Sequence, residues 1–377
     1  MENYLKEKNN SLDILFSPIT LGNLKLSNRI VMAPMTRGFS PNSIPDDNVA
    51  AYYQRRAENQ VGLIITEGTL INHPAAAEGM NRPNFYGEEA LKGWAKVVEK
   101  VHQAGGKIMP QLWHVGTARK INGNNPNPEA LPIGPSGLDI TTGEKVTSPM
   151  TIKEIQEIIH AFATAALAAK NLGFDGIEIH GAHGYLIDQF FWEKTNHRQD
   201  NYGGNMKARS QFAVEIVQAC REAVGPDFPI VFRYSQWKMG SYQAKLATTP
   251  EELSVFLAPL VEAGVDIFHC STRRYWEPEF AGSELNLAGW TKKITGKPTI
   301  TVGSVGLDTN FTDFFTKGKG AKATSIQPLL DRLEKHEFDL VAVGRALLAD
   351  PAWAVKLRTN RINELIPFEP GVEKTLS

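Results

Sequence analysis

The sequence contains very few cysteines, since Cys220 and Cys270 are the only two among 377 residues. Two cysteines are too few for an iron–sulfur cluster or a disulfide framework, and they favour a reduced, cytoplasmic setting. An excess of charge of one sign is also lacking, because 40 Lys and Arg residues stand against 41 Asp and Glu residues. The formal charge of −1, without a block of like charges, predicts neither a nucleic-acid partner nor an anionic membrane surface.

Long apolar runs are missing as well. Residues 1–8 are polar and lack the apolar core of a signal peptide. The longest run of small apolar residues, 161–169, contains Thr164 and is far too short to span a bilayer. We therefore expect no membrane partner.

What the sequence does contain is a regular alternation of short apolar runs and helical patterns. The apolar runs are 30–33, 61–66, 107–112, 176–179, 229–232, 265–269, 299–302 and 340–343. This alternation predicts an α/β fold, the (β/α)₈ or TIM barrel. A doubly wound open sheet would alternate too, but no Gly-x-Gly-x-x-Gly follows an early strand, which weakens that version.

Insertions interrupt the predicted barrel at three places. Gly22-Asn23 lies between two short apolar runs, so residues 11–28 are expected to form an N-terminal hairpin before the first strand. Inserted loops are expected after the third strand, over 117–150, and after the sixth strand, over 271–289. No long linker separates these parts, and we expect one domain over 1–377.

Two histidines and a tyrosine in the segment 176–186 carry the clearest chemical signal. His180, His183 and Tyr185 follow a β-branched run, with glycines that allow a tight turn beside them. Two imidazoles at a strand end can hold an anionic oxygen, and a phenol can deliver a proton. The same spacing also suits a metal site or a polar loop, and the segment alone leaves all three open.

The ends of the other strands are rich in polar residues, glycine and arginine. Gly303-Ser304 and Gly344-Arg345 follow the seventh and eighth strands, where barrels commonly bind a phosphate. A surface turn is the better interpretation of such a pair alone, but two adjoining turns in a barrel favour a phosphate site. Gln111 has the donors and the acceptor to bind a heterocycle. Arg233 can stabilise negative charge on a reduced ring or can form a structural salt bridge.

These motifs together resemble the Old Yellow Enzyme family of FMN-dependent ene-reductases, from about residue 14 to residue 358. The resemblance rests on the segments 28–37, 111–114, 180–186, 196–204 and 343–345. It implies a noncovalently bound FMN and NADPH or NADH as co-substrate. The implied cofactor-binding residues are Pro34, Met35, Thr36, Gly68, Gln111, His180, Arg233, Gly303, Ser304, Gly344 and Arg345, of which the last four would bind the phosphate.

The resemblance also implies a reaction. NAD(P)H would reduce the flavin, and an α,β-unsaturated carbonyl or nitro compound would then enter the same pocket in a ping-pong sequence. Trp113 and Thr36 would border this pocket, His180 and His183 would hold the substrate oxygen, and Tyr185 would donate the proton. A monomer or a homodimer is expected. Two alternatives are a metal-dependent barrel hydrolase and a flavin-binding protein without ene-reductase turnover.

Overall fold

The computed structural model describes residues 12–309, 313–314 and 317–377. Eight parallel strands follow one another around a closed barrel, and the last pairs with the first. An antiparallel hairpin of β1 (Ile19–Leu21) and β2 (Leu24–Leu26) precedes them. The barrel strands are β3 (Ile30–Met32), β4 (Leu63–Leu70), β5 (Lys107–Trp113), β6 (Ile177–His183), β7 (Ile230–Lys238), β8 (Ile267–Ser271), β9 (Thr299–Val302) and β10 (Leu340–Val343).

Helices surround the barrel and are numbered here in chain order. They include α1 (Asp47–Glu58), α2 (Glu88–Gln103), α3 (Ile152–Asn171), α4 (Leu186–Phe191), α5 (Met206–Val224), α6 (Pro250–Ala263), α7 (Leu287–Thr295), α8 (Gln327–Glu334), α9 (Arg345–Ala349) and α10 (Trp353–Arg358). Helix α3 begins where Thr151 and Glu154 satisfy each other's backbone N–H groups in a capping box. Of the helices that the structure describes, none is both long enough and apolar enough to cross a bilayer.

The predicted TIM barrel and its N-terminal hairpin are confirmed, although residue 11 of the predicted hairpin segment 11–28 lies outside the described residues. All eight apolar runs contribute a strand. Strands β6 and β7 extend beyond their predicted ends, to His183 and Lys238, because the two strands continue to pair after a register shift between Gly181 and His183. The single domain over 1–377 stays a prediction.

The barrel interior is lined by alternate residues of each strand, because successive side chains of a strand point to opposite faces. At the N-terminal end of the strands these residues are aliphatic, and Leu24 and Leu26 of the hairpin pack into the same buried cluster. Two residues further toward the carboxyl end, polar side chains occupy the same interior face of several strands. Met109 is followed on the same face of β5 by Gln111 and Trp113, and Ile267 is followed on β8 by His269 and Ser271.

Candidate active site

Four aromatic rings gather at the carboxyl ends of β5 and β6. The His180 ring lies 5.2 Å from the His183 ring and 5.0 Å from the Tyr185 ring, both at nearly right angles. The Trp113 ring lies 5.0 Å from Tyr185 and is stacked at 6.3 Å over His180. The structure therefore brings together four of the five residues that the sequence singles out for the substrate pocket, and Thr36 is the fifth.

The backbone at His183 has an unusual conformation, with a positive φ of 65°. This left-handed geometry is uncommon for a residue with a side chain and must be held by its surroundings. Ser235 accepts a hydrogen bond from the His183 amide at 3.0 Å, and the Met239 amide donates to the His183 carbonyl at 3.1 Å. The end of β7 thus fixes the turn that carries His183.

Both site histidines are neutral at ordinary pH. Burial, reinforced by the positive charge of Arg233, holds the pKa of His180 and of His183 well below the usual value. The Ala182 amide donates to Nδ1 of His180 at 3.3 Å, so the proton of His180 sits on Nε2. This ring nitrogen is consequently available as a donor.

The Tyr185 hydroxyl is available as an acid. Burial raises the pKa of Tyr185 to about 12, which keeps the phenol protonated throughout the physiological range. Its hydroxyl contacts the sulfur of Met239 at 3.8 Å, and a thioether is only a weak acceptor. The proton of Tyr185 is therefore not committed to a strong internal hydrogen bond.

A buried ion pair between Lys238 and Asp188 stabilises the turn at residues 183–184. Lys238 and Asp188 have fully buried side chains, and Nζ lies 2.6 Å from Oδ1 of the carboxylate. The other carboxylate oxygen, Oδ2, accepts the Gly184 amide at 2.7 Å. Lys238 also pairs in register with His183 across the two strands. Neither residue of this pair was predicted as part of the site.

Removing one member of the pair has a large expected effect on stability. Lys238→Ala leaves the Asp188 carboxylate buried without its cation, which costs about 3–5 kcal/mol of unfolding free energy. Urea titration followed by circular dichroism measures this loss. Lys96→Ala is the matched control, because its ion pair with Asp47 is exposed and its removal leaves the midpoint nearly unchanged. Equal midpoints for both variants would contradict the structural role of Lys238.

A second polar group lies deeper in the barrel. Gln111 donates from Nε2 to Glu178 at 2.7 Å, and Nδ1 of His269 lies 2.6 Å from the other Glu178 oxygen. Burial lowers the pKa of His269, so a neutral ring donates from Nδ1 to the carboxylate. Arg233 pairs in register with His269, and its Nε is buried without a hydrogen-bond partner among the described residues.

Sequence reasoning identified Gln111 and Arg233 but missed Glu178 and His269. A signal for both was present. Glu178 precedes His180 by two residues, and His269 precedes Ser271 by two, so all four occupy the interior face of strands otherwise rich in apolar residues. A charged residue on the inner face of a buried strand points to a polar interior rather than to a plain apolar core.

The predicted phosphate turns lie on neighbouring strands, since β9 and β10 are paired. Gly303 and Ser304 both have positive φ, 136° and 51°, and a side chain at Gly303 would meet the backbone of residues 272–274 at 2.8–2.9 Å.

Gly344 lies directly before α9, whose first residue is Arg345. The Arg345 guanidinium donates to the Thr309 carbonyl and faces the Phe368 ring, while its Nη1 is buried without a partner among the described residues.

The remaining predicted cofactor positions lie around the same mouth. Met35 contacts the position that a side chain on Gly344 would occupy, at 3.6 Å. Pro34 is partly buried and Thr36 is exposed. Gly68 has a visible reason to lack a side chain, because a Cβ there would lie 2.5 Å from the Trp113 ring. Over 12–309, 313–314 and 317–377, no three His, Cys, Asp or Glu side chains form a cluster that suits a metal ion.

The fold is a TIM barrel with polar residues gathered at the carboxyl ends of its strands, and comparison with known proteins gives its class. The model of the NADH:flavin oxidoreductase / NADH oxidase family matches residues 14–364. The chain belongs to this family, which is the Old Yellow Enzyme family. Membership makes the chain a flavin oxidoreductase and replaces the hydrolase alternative.

Individual relatives show the same kinship. The NADH oxidase of Thermoanaerobacter brockii is 35% identical over 363 residues, which cover 93% of this chain and 52% of the oxidase, so the chain spans about half of that protein. The 12-oxophytodienoate reductase 2 of Arabidopsis thaliana is 33% identical over 89% of this chain and 86% of its own length. Morphinone reductase in complex with tetrahydroNAD has a TM-score of 0.78 at 28% identity, covering 95% of this chain and 93% of that chain.

Proposed function

We propose that this protein is an FMN-dependent ene-reductase, which uses NAD(P)H to reduce the activated C=C bond of α,β-unsaturated carbonyl or nitro compounds. The observation that carries the proposal is the cluster of two neutral imidazoles and a protonated phenol at one strand end. Neutral imidazoles donate to a substrate oxygen that becomes negative, and a phenol beside them supplies a proton. The relatives that reduce 12-oxophytodienoate and morphinone support this substrate class.

The chain's residues fit FMN at two separate places. Arg233 and Arg345 each have a buried guanidinium nitrogen without a partner among the described residues, one in the barrel and one beside the Gly303 and Gly344 turns. A buried unpaired donor is costly, so both are suited to an acceptor from outside the chain. Gln111, held by Glu178, would present its remaining amide groups to the flavin edge, while Arg345 would bind the phosphate.

Bound FMN would supply the hydride after its reduction by NAD(P)H. The chain's own residues would position the alkene and complete the proton transfer. His180 and His183 would bind the electron-withdrawing oxygen and stabilise the charge that develops there. Tyr185 would deliver its phenolic proton to the α-carbon, and Trp113 would form the wall behind Tyr185 and His180.

The first test is the visible absorption spectrum of the purified protein and of the supernatant that remains after the protein is denatured and removed. We expect a yellow protein that releases FMN, is bleached anaerobically by NADPH or NADH, and regains its colour when 2-cyclohexenone is added. A colourless protein that takes up no FMN contradicts the proposal. A yellow protein that is bleached but never reoxidised by any enone or nitroalkene supports the alternative of a flavin-binding protein without ene-reductase turnover.

Arg345→Ala tests the phosphate site. A charge-assisted hydrogen bond contributes about 1.5–3 kcal/mol, so we expect roughly a 10- to 100-fold loss of FMN affinity. Burial lowers the pKa of Arg345 only to about 10, so the lost group is cationic at neutral pH. Fluorescence titration of the apoprotein with FMN and with riboflavin, which has no phosphate, gives the result. Only FMN should lose affinity, and equal losses for both would place Arg345 away from the phosphate.

A further inference from the structure

Ser271, at the end of β8, touches both the cofactor side and the substrate side of the site. The residue is 2% exposed. Its Oγ lies 2.7 Å from Nε2 of His183 and 3.3 Å from Nη2 of Arg233. Its carbonyl accepts a hydrogen bond from Trp237 at 3.1 Å. The Trp237 ring in turn is stacked on the His183 ring at 4.3 Å with an angle of 19°, so His183 is held by its edge and by its face.

Only one arrangement of donors and acceptors around Ser271 gives its hydroxyl proton a partner among the described residues. A guanidinium only donates, so Arg233 donates to the Ser271 oxygen. Oγ can accept two hydrogen bonds, but if Nε2 of His183 also donated to it, the hydroxyl proton of Ser271 would have no acceptor among the described residues, so this proton points to Nε2. Nε2 must therefore be the unprotonated nitrogen. Because the His183 ring is neutral, its one proton lies on Nδ1.

Electrostatics favours the same tautomer. The unprotonated nitrogen of a neutral imidazole is its negative end, and the protonated nitrogen is its positive end. With the proton on Nδ1, the negative end faces Ser271 and the Arg233 cation behind it. The opposite tautomer would turn the positive end toward that cation.

We propose that Ser271 is a positioning residue that fixes His183 in the Nδ1–H tautomer, so that the second imidazole is a donor to the substrate oxygen. His180 carries its proton on Nε2, because its Nδ1 accepts the Ala182 amide. The two histidines thus offer opposite ring nitrogens to one ligand. This inference rests on the proposed function and adds to it the residue that makes His183 a donor rather than an acceptor.

The test measures the tautomer directly. In two-bond ¹H–¹⁵N spectra of the purified holoenzyme, His183 is assigned by its loss in His183→Asn, and we expect its proton on Nδ1. Ser271→Ala removes the hydroxyl without adding volume and should shift His183 toward the Nε2–H form. Affinity for 4-hydroxybenzaldehyde, a phenolate probe, should fall roughly tenfold, the size of one ordinary hydrogen bond. Ser271→Thr, which restores a hydroxyl, should recover both signals.

Cys270→Ala is the matched control, because Cys270 precedes Ser271 on β8 and contacts Thr291 on the outer face. It should leave the His183 spectrum and the phenolate affinity unchanged. A proton on Nε2 in the parent protein, or an unaltered His183 spectrum in Ser271→Ala, overturns the assignment. If the parent binds no phenolate, the proposed function fails, whereas the spectrum still decides the role of Ser271.

Discussion

Replacing His180 and His183 together by alanine is expected to reduce enone turnover by roughly 100- to 1,000-fold, the loss associated with an oxyanion donor, and by more if both donors act on the same atom. The rings are 5.2 Å apart and neutral, so each contributes an N–H donor rather than a charge. Stopped-flow reoxidation by 2-cyclohexenone measures the loss.

Phenolate binding gives the same variant a second measurement. A phenolate held by both imidazoles should stack on oxidised FMN and produce a long-wavelength charge-transfer band, which the double variant should lose while FMN stays bound. The control replaces the exposed His160 and His197 by alanine and should keep the band. A band that survives the loss of both site histidines refutes the oxygen clamp and the substrate orientation derived from it.

Tyr185→Phe is expected to separate the two half-reactions. Reduction by NAD(P)H needs no proton at an alkene carbon and should remain nearly unchanged. Reoxidation by enones should slow by roughly 10²- to 10⁴-fold, the usual contribution of a general acid. Because burial raises the pKa of Tyr185 to about 12, the parent's reoxidation rate should show no loss from this group below about pH 10.

Tyr86→Phe is the matched control for this variant. Tyr86 packs against the same apolar cluster of Leu70, Trp113 and Ile140 that adjoins Tyr185. The control should leave both half-reactions intact. Nitroalkenes provide a further distinction, because their nitronate product persists without immediate protonation, and they should suffer less than enones. If both half-reactions slowed together in Tyr185→Phe, the phenol would serve to position the ligand.

The barrel could be predicted because its signal is local. Each buried strand is a short apolar run, and all eight runs became strands around one closed sheet. The sequence also placed His180, His183, Tyr185 and Trp113 at neighbouring strand ends, and the structure brings their rings within 5.0–6.3 Å. Strand order around a barrel follows chain order, so residues at successive strand ends become neighbours without further information.

The partners of these residues could not be read in the same way. Lys238 reaches Asp188 only because β7 continues past its apolar run and pairs with the bulged end of β6. Ser271 reaches His183 across 88 positions of sequence, and its position follows from the stagger of β8 against β7. Such contacts depend on register between distant segments, which hydrophobic periodicity alone does not specify.

The N-terminal hairpin packs against the end of the barrel opposite the candidate site. Leu24 and Leu26 fill the N-terminal end of the barrel together with the apolar interior residues of the strands, whereas the polar residues of the candidate site lie at the opposite end. In the proposed function, nicotinamide and alkene bind the same pocket in turn, so slow release of one delays binding of the other. Substitutions intended to speed turnover should therefore be made in the segments 117–150 and 271–289, which follow the carboxyl ends of β5 and β8. The apolar N-terminal end of the barrel should be left unchanged, because its packing stabilises the fold.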